Sequence, residues 1–271
     1  MPELPEVETT RAGIEPHVMG QQVRTVIVRQ PQLRWPVTDT LAAELPGQTI
    51  HGVARRAKYL LFAADTGHVC LHLGMSGRLR IVAAGTPLVA HDHVDIELTN
   101  DWVVRYNDAR RFGSIFWLTE PPETFSLLAR LGPEPLSNDF DGAWLKTQAA
   151  RRRTAIKAFI MDSQVVVGVG NIYACEALHM AGIHPRRPAQ SVSRARYDRL
   201  AEAIKTVLAR AITVGGTTLR DYIGVDGDTG YFQLSLAAYG REGAPCPRGC
   251  GVIRREVIGQ RSTFFCPGCQ R

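Results

Sequence analysis

The chain has 271 residues, 45% of them hydrophobic, and it carries 32 Lys and Arg against 26 Asp and Glu, a formal charge of +6. This length is enough for one large domain or two of ordinary size, and the hydrophobic fraction excludes intrinsic disorder as the main state. The positive charge favours a polyanionic partner. No apolar run approaches the roughly 18 to 20 residues that span a bilayer, and the N-terminal MPELPEVETT lacks the features of a signal peptide. We therefore expect a cytosolic chain without membrane partners.

Residues 23–118 are predicted to form short strands after a helical opening. Apolar side chains alternate within residues 69–73 and again within residues 94–98, with the period of two that is typical of strands with one buried face. Residues 103–106 and 115–118 extend the set, and glycines between the runs mark turns. Several such runs at close spacing predict a β-sandwich.

Prolines in residues 121–136 mark a predicted linker, because they can continue neither a helix nor a central strand. Helical periodicity follows. Asn171 to Met180 is one predicted helix, and Ser193 to Val214 is an amphipathic one with Ser193 at its N-cap. We expect four parts: a sandwich domain at 1–120, the linker at 121–136, a helical domain at 137–235 and a finger at 236–271.

The N-terminus offers a candidate nucleophile. Removal of the initiator methionine would expose the secondary amine of Pro2, and an α-amino group titrates near pH 8, so far more of it is neutral at pH 7 than of a lysine. Attack of this amine on the anomeric carbon of a sugar gives an iminium ion that drives elimination, with Glu3 beside it as a general acid or base. Alternatively, Pro5, Glu6 and Glu8 only begin a helix, with acids at its positive end. The residues alone favour this structural alternative.

A cluster of cysteines predicts a metal site near the end of the chain. Two close pairs, separated by a segment able to form a hairpin, supply thiolates for a tetrahedral Zn²⁺. Two disulfides are the alternative, but the absence of a secretion signal favours zinc. A closed shell leaves no position for substrate, so we expect one structural Zn²⁺ that rigidifies a hairpin turn bearing Arg261. The four ligands are Cys246, Cys250, Cys266 and Cys269.

Residues 168–171, Gly-Val-Gly-Asn, begin a predicted helix. Backbone N–H groups at a helix start, with an Asn side chain beside them, suit a phosphate. A plain glycine turn fits the residues equally well. Basic residues at 55–58 and at 151–157 add positive clusters, which are typical of solvated faces.

Two turns each place a large side chain beside glycines. Residues 72–77 contain Met75, and residues 107–113 contain Phe112 next to two arginines. An exposed apolar side chain beside arginine is the composition of a wedge inserted between stacked bases. Both side chains could instead be core residues at strand ends.

These patterns occur in the order found in formamidopyrimidine-DNA glycosylases, and the sequence resembles that family over virtually its whole length. The segments that carry the resemblance are PELPEVET at 2–9, RRAKYL at 55–60, HLGMSG at 72–77, HDHVD at 91–95, RRFG at 110–113, LGPEPL, VVGVGNIYACEAL, GGTTLRDY, YGREG and the terminal cysteine cluster. The resemblance implies an α+β multidomain fold: an N-terminal β-sandwich with an N-terminal helix, then a helical helix-two-turn-helix domain with a C-terminal zinc-finger hairpin.

The resemblance also implies a base-excision repair enzyme. Such an enzyme excises oxidised purines, including 8-oxoguanine and formamidopyrimidines, from duplex DNA and cleaves the abasic strand by β,δ-elimination through an imine of the N-terminal proline. Carried over residue by residue, Pro2 is the nucleophile, Glu3 the proton donor to the opening sugar and Glu6 a supporting carboxylate. Lys58 and Arg261 complete the implied catalytic set.

Further residues are implied to contact DNA. Lys58, Asn171 and Arg261 bind the phosphates that flank the lesion, and His91 and Arg153 are additional contacts. A base must leave the stack before chemistry can occur on it, and the side chains implied to fill the space are Met75, Arg110 and Phe112, with Arg110 facing the orphaned cytosine.

Two departures from the family pattern are present. Three residues separate Cys246 from Cys250, where the family usually has two, and the segment between the two cysteine pairs is one residue shorter than usual. Arg220 stands where a lysine is common in the loop that covers the damaged base. The fine lesion preference is therefore left open.

Two other functions compete with this one. An endonuclease VIII-type glycosylase for oxidised pyrimidines is disfavoured by the PELPEVET start and the complete RRFG turn. A non-catalytic zinc-containing DNA-binding protein is disfavoured by the Pro2-Glu3 pair. We expect a monomer that binds damaged double-stranded DNA in a cytoplasm of bacterial type and is associated with the nucleoid when bound.

Overall fold

A computed structural model of the chain describes residues 2–215 and 236–271, so Arg220 lies outside the described residues. Among these residues, one unit comprises 2–129 and 215, and a second comprises 130–214 and 236–271. The division falls within the predicted linker, whose own ends stay predictions. No helix in the described ranges combines the length and apolar character that crossing a bilayer requires.

The first unit is the β-sandwich that the alternating pattern predicts. Its helices are α1 Leu4–Val18 and α2 Leu41–Glu44, and its strands are β1 Val23–Val28, β2 Gly52–Arg56, β3 Tyr59–Ala63, β4 His68–His72, β5 Arg78–Ala83, β6 Asp92–Leu98, β7 Trp102–Asn107 and β8 Ser114–Leu118. The described strands form two antiparallel sheets, with the orders β1-β6-β7-β5 and β2-β3-β4-β8.

The described residues of this unit share a large hydrophobic core. Ile96 and Tyr106 of the first sheet and Phe62 and Val69 of the second are buried in it. One side of α1 adds Val7, Ile14 and Val18. The alternation of apolar residues therefore predicted the strands correctly, because each sheet buries one face against this core.

Strand register brings the turns of this unit that carry predicted site residues to one end of the sandwich. Tyr59 pairs with both Arg56 and His72, and His72 pairs with Ser114. The turn between β2 and β3, the turn after β4 and the turn before β8 thus share one end. In the other sheet, Asn107 is paired with the first residues of β5 and β6. Segments 73–77 and 108–113 connect the two sheets at this same end.

The second unit is mainly helical and ends in a hairpin. Its elements are α3 Gly142–Ala149, α4 Ile156–Ile160, α5 Asn171–Ala181, α6 Arg194–Thr213, β9 Arg254–Ile258 and β10 Arg261–Phe265, with a 3₁₀ turn at Ala189–Ser191; another 3₁₀ turn, Pro122–Thr124, belongs to the first unit. The two predicted helices and the predicted hairpin are confirmed within one or two residues. Ser193 is the N-cap of α6 by position, but its hydroxyl makes no capping hydrogen bond.

Candidate functional site

The chain begins with a buried carboxyl group beside the predicted nucleophile. Glu3 is the N-cap of α1 and only 2% exposed. Its backbone N–H donates to the Glu6 carboxylate over 2.8 Å, and the two residues form a reciprocal capping box. The predicted helix start is therefore present, and it holds Glu3 in the protein interior directly after Pro2.

Ion pairs orient α1 on the sandwich. The Glu8 carboxylate accepts hydrogen bonds from Arg11 Nε at 2.7 Å and Arg55 Nε at 2.8 Å, and Arg11 Nη1 donates to the Val53 carbonyl at 3.3 Å. Burial raises the pKa of Glu8, but the hydrogen bonds from the two arginines outweigh it and hold the pKa below its usual value. Glu8 contacts Arg55, whereas Glu15, later in the helix, accepts the N–H of Val53, which is earlier in β2. The helix α1 therefore runs antiparallel to β2. Its first residues therefore lie at the same end as the turn that carries Lys58.

His72 supports the turn that presents Met75. Burial, together with the positive charges of Lys58 and Arg34, lowers the pKa of His72 to about 4. The ring is therefore neutral at pH 7, and its Nδ1 accepts the Gly74 N–H at 3.0 Å. This bond orients the backbone immediately before Met75.

The two predicted wedge side chains are exposed. Met75 and Phe112 are each 42% exposed, so the alternative that they are core residues is wrong. The Arg110 guanidinium lies 4.6 Å from the centre of the Phe112 ring, a cation–π contact that holds both side chains at the surface. The two turns also touch, because a Cβ added to Gly74 would lie 2.4 Å from the Phe112 backbone.

Asp108 connects these turns, and sequence reasoning missed it. The carboxylate is fully buried. It accepts Ser76 Oγ at 2.5 Å from one turn, and Gly113 N–H at 2.9 Å and Arg110 N–H at 3.3 Å from the other. The Tyr106 hydroxyl donates to it at 3.0 Å. A buried acceptor thus fixes the wedge turns relative to each other.

His91 lies at the same end of the sandwich. Its side chain is exposed, and its carbonyl accepts the Asp108 N–H at 3.1 Å. The ring of the buried His93 bonds to the Asp108 carbonyl at 2.8 Å. The first unit therefore brings together eight of the predicted site residues, which are Pro2, Glu3, Glu6, Lys58, Met75, His91, Arg110 and Phe112.

Left-handed backbone at residues other than glycine occurs at or beside several predicted site residues of both units. In the described chain such residues are Ala57, His91, Asp101, Arg111, Arg151 and Gln260. Ala57 precedes Lys58, Arg111 separates Arg110 from Phe112, and Gln260 precedes Arg261. The conformation costs of the order of 1 kcal/mol or more for each residue, and it concentrates where function constrains the backbone.

In the second unit, a buried lysine joins Asn171 to the hairpin. Lys157 is only 1% exposed, which corrects the expectation of a solvated basic face at this position. Its Nζ donates to Asn171 Oδ1 at 2.5 Å, Thr263 Oγ1 at 2.7 Å and the Ser262 carbonyl at 3.2 Å. Asn171 Nδ2 donates to the same carbonyl at 3.0 Å. Asn171 is thus held beside the turn that presents Arg261.

That turn and the helix start have the predicted forms. Gly259 and Gln260 both have positive φ between the paired residues Ile258 and Arg261, which is a type I′ hairpin. The Arg261 side chain is exposed. Asn171 is the first residue of α5, at the positive end of the helix dipole, which favours an anion. Arg153 is exposed before α4.

The buried Glu176 was also not identified by the sequence analysis. Glu176 lies in the apolar α5, and its carboxylate accepts the backbone N–H groups of Ala237, Ala238 and Tyr239, each at 2.8 Å. These bonds attach the beginning of the C-terminal segment to the helix. A glutamate within an otherwise apolar helix was the available sequence signal.

The four clustered cysteines form a metal site. Their sulfurs lie within 4.8 Å of one another, and all four thiols are free. The Cys246–Cys250 and Cys250–Cys266 sulfur distances are 3.4 and 3.6 Å, well beyond a disulfide bond of about 2.05 Å. Burial raises the pKa of Cys266, but hydrogen bonds from the Cys269 and Gly268 backbone outweigh it and lower that pKa to about 7. Four convergent sulfurs suit one tetrahedral Zn²⁺, so the widened spacing does not prevent the ligands from meeting.

Three family models match the chain. They are the formamidopyrimidine-DNA glycosylase N-terminal domain at residues 1–115, the formamidopyrimidine-DNA glycosylase H2TH domain at residues 131–222 and the zinc finger found in FPG and IleRS at residues 243–271. Curated relatives named formamidopyrimidine-DNA glycosylase from Syntrophotalea carbinolica and Pseudomonas syringae pv. tomato are each 57% identical over 272 residues, with 100% of both chains covered.

Solved structures are similar over the whole chain. The Lactococcus lactis Fpg in complex with DNA containing an abasic site has a TM-score of 0.91 at 33% identity, with 99% of each chain covered. The MutM (Fpg) protein of Thermus thermophilus has a TM-score of 0.87 at 40% identity, covering 99% of this chain and 98% of that one.

Proposed function

Because the chain belongs to the formamidopyrimidine-DNA glycosylase family, we propose that it excises oxidised purines from duplex DNA and then cleaves the abasic strand through an imine of Pro2. The chain is a base-excision repair glycosylase that binds damaged DNA as a monomer and holds one structural zinc ion in its finger. We further propose that its substrates include 8-oxoguanine and formamidopyrimidines and that strand cleavage proceeds by β,δ-elimination.

The observation that carries the proposal is the buried Glu3 next to Pro2, at the end of the sandwich that also bears Lys58 and the wedge turns. The Pro2 nitrogen attacks C1′ of the damaged nucleotide, the glycosidic bond breaks, and the base leaves with the proton that the Pro2 nitrogen loses. Glu3 gives its proton to the ring oxygen as the sugar opens, which leaves an iminium ion with a fixed positive charge. That charge acidifies the C2′–H, so loss of this proton expels the 3′ phosphate, and a second elimination expels the 5′ phosphate. Water then releases Pro2.

Positive and amide groups bind the DNA backbone. Lys58 in the first unit and Asn171 and Arg261 in the second contact phosphates near the lesion, with His91 and Arg153 as further contacts. The exposure of Arg261 and the position of Asn171 at the start of α5, where the helix dipole favours an anion, support this assignment.

Exposed wedge residues replace the flipped base. Met75 and Phe112 fill the gap in the stack, and Arg110 reads the opposite cytosine. The exposure of both apolar side chains and the stacking of Arg110 on Phe112 support this role. Glu6 assists by fixing the Glu3 backbone. A contact of Arg220 with the damaged base stays a prediction.

Borohydride trapping on a duplex with 8-oxoguanine opposite cytosine tests the proposal. The Pro2→Gly variant should lose trapping by roughly tenfold or more, because an imine of a primary amine lacks the fixed charge, while DNA affinity stays within about threefold. Pro5→Ala, which changes the proline in the first turn of α1 but leaves the N-terminal amine, is the matched control and should trap normally. Full trapping by Pro2→Gly would contradict the assignment of the nucleophile.

The same assay separates the competing functions. Preference for a duplex containing an oxidised pyrimidine would favour an endonuclease VIII-type enzyme, and binding without any trapping would favour a non-catalytic zinc protein.

The relatives with curated names come from bacteria, which supports a bacterial-type cytoplasmic location with nucleoid association when the protein is bound to DNA. Fractionation with and without nuclease treatment tests that location.

A further inference from the structure

A histidine on α5 contacts one of the zinc ligands. His179 lies in the last turn of this helix and is buried, as is Cys246. Its Nε2 is 3.3 Å from the Cys246 sulfur. This distance lies within the hydrogen-bonding range for sulfur, and the two residues are 67 positions apart in sequence.

The chemistry of the zinc-bound site sets the direction of this hydrogen bond. A cysteine that binds zinc is a thiolate and carries no proton, so the hydrogen must come from the ring nitrogen. Four thiolates around one Zn²⁺ leave a net charge of about −2 in the cluster. A donor to one sulfur withdraws part of that charge and orients the ligand, which stabilises the bound metal.

His179 lies beside the ligand set rather than within it. Among the described residues, the donor atoms that lie within 4.8 Å of one another are the four cysteine sulfurs, without the His179 ring. Four sulfurs already complete a tetrahedral shell. The ring therefore approaches the metal through Cys246.

Neighbouring bonds attach both cysteine pairs to the same end of α5. Arg248, within the widened Cys246–Cys250 loop, donates to the Met180 carbonyl at 2.7 Å. Gln270, next to the second pair, donates to the Ile183 carbonyl at 3.0 Å and accepts the Cys266 N–H at 2.7 Å. The helix thus supports the zinc site at one end and carries Asn171 at the other.

We propose that His179 donates its Nε2–H to the zinc-bound sulfur of Cys246 and is thereby a metal-retaining residue of the finger. This role concerns zinc retention and does not depend on the reaction proposed for Pro2.

Zinc transfer to a chromogenic chelator tests the proposal on zinc-loaded, full-length protein. His179→Phe keeps a ring of similar size but lacks both nitrogens, and it should release zinc about 10- to 100-fold faster, the usual size of such an effect. His179→Gln, which retains an N–H donor, should recover most of the retention. His184→Phe is the matched control, because the His184 ring packs 4.6 Å from Phe265, and it should release zinc at the unmodified rate. Release from His179→Phe at the unmodified rate would overturn the proposal.

A measurement on the unmutated protein avoids any dependence on how the variants fold. In protein loaded with ¹¹³Cd, we expect a scalar coupling between the His179 Nε2–H proton and the metal, transmitted through the Cys246 sulfur. A ring proton on Nδ1 with no such coupling would overturn the proposal. The Co²⁺-loaded protein should show the absorption of four sulfur ligands. A spectrum with a nitrogen ligand that disappears in His179→Phe would also overturn it, because His179 would then bind the metal directly.

Discussion

The wedge end of the sandwich and the hairpin of the finger both present exposed side chains on tight turns, yet they stabilise those turns differently. Each turn contains a left-handed residue other than glycine, Arg111 in one and Gln260 in the other. The wedge turns are fixed by the buried carboxylate of Asp108. The hairpin turn depends on a four-cysteine metal site and on the buried Lys157.

Core size explains this difference. The sandwich has a continuous hydrophobic core between its sheets, so hydrogen bonds within the protein suffice to fix the loops. In the described residues, the hydrophobic cluster of the finger is small and consists of the buried Ala238, Cys246, Ile253 and Cys266. A lone hairpin is marginally stable in water, and metal binding supplies folding free energy that so small a core does not. The two regions should therefore fail under different perturbations.

Loss of zinc should separate the regions most strongly. Cys266→Ser removes one ligand, so the hairpin should lose its order and DNA affinity should fall by about 100-fold or more, which is about 2.7 kcal/mol. The first unit should stay folded. Metal analysis, DNA titration and circular dichroism check these outcomes. Cys70→Ala, at a buried cysteine of the first unit, should retain one zinc ion per chain, and full DNA affinity in metal-free Cys266→Ser would show that the hairpin works without zinc.

Asp108→Asn should affect the opposite region. The amide would place an NH₂ group among backbone and hydroxyl donors in a buried site. We expect the free energy of unfolding of the first unit to fall by about 2 to 4 kcal/mol while zinc content stays at one per chain. Asp101→Asn is the control, because its carboxylate is 75% exposed beside Arg24, and it should change stability by less than about 0.5 kcal/mol. Equal effects of the two substitutions on the free energy of unfolding in urea would contradict the stabilising role of the buried Asp108 carboxylate.

Acid should weaken the wedge end through His72. Its pKa in the folded protein is about 4, lowered from 6.5, so the unfolded chain binds the proton more tightly between these values. The contribution of His72 is fully present above pH 6.5 and is lost as pH falls towards 4, with an upper limit of about 3 kcal/mol. His72→Asn keeps an acceptor for the Gly74 N–H without the titration. Its unfolding free energy should therefore depend less on pH in this window, and an unchanged slope would exclude His72 as the source.

The smallest expected effect is on the salt dependence of DNA binding, which should differ between substitutions at the charged Arg261 and at the uncharged Asn171. Arg261→Ala removes a charge that we propose to contact phosphate, so the slope of log affinity against log salt should decrease by about one unit. Asn171→Ala should weaken binding without changing the slope, because the amide releases no counterion. Titrations of duplex DNA at several salt concentrations measure both. Equal slopes for the Arg261→Ala variant and the unmodified protein would indicate that Arg261 does not contact phosphate.

Much of the fold was predictable because it depends on local periodicity. Alternation at residues 94–98 predicted β6, and three- and four-residue spacing predicted α6. Cysteine spacing predicted the metal ligands. The roles of Asp108 and Lys157 were not predictable in this way. Lys157 reaches an oxygen that lies 106 positions away, and no local pattern indicates that a lysine in a basic cluster will be buried.

The sequence by itself determined which chemical groups are available: a secondary amine at Pro2 once Met1 is removed, a set of four thiols, and strands and helices with one apolar face. Only the tertiary structure decided which groups are buried. It exposes Met75 and Phe112 at strand ends, buries Glu3 beside Pro2, and brings His179 to the Cys246 sulfur. The physical reason is that periodicity and ligand spacing express interactions between near neighbours in the chain. Burial and hydrogen bonding of a charged side chain depend on partners that only sheet register and helix packing bring together.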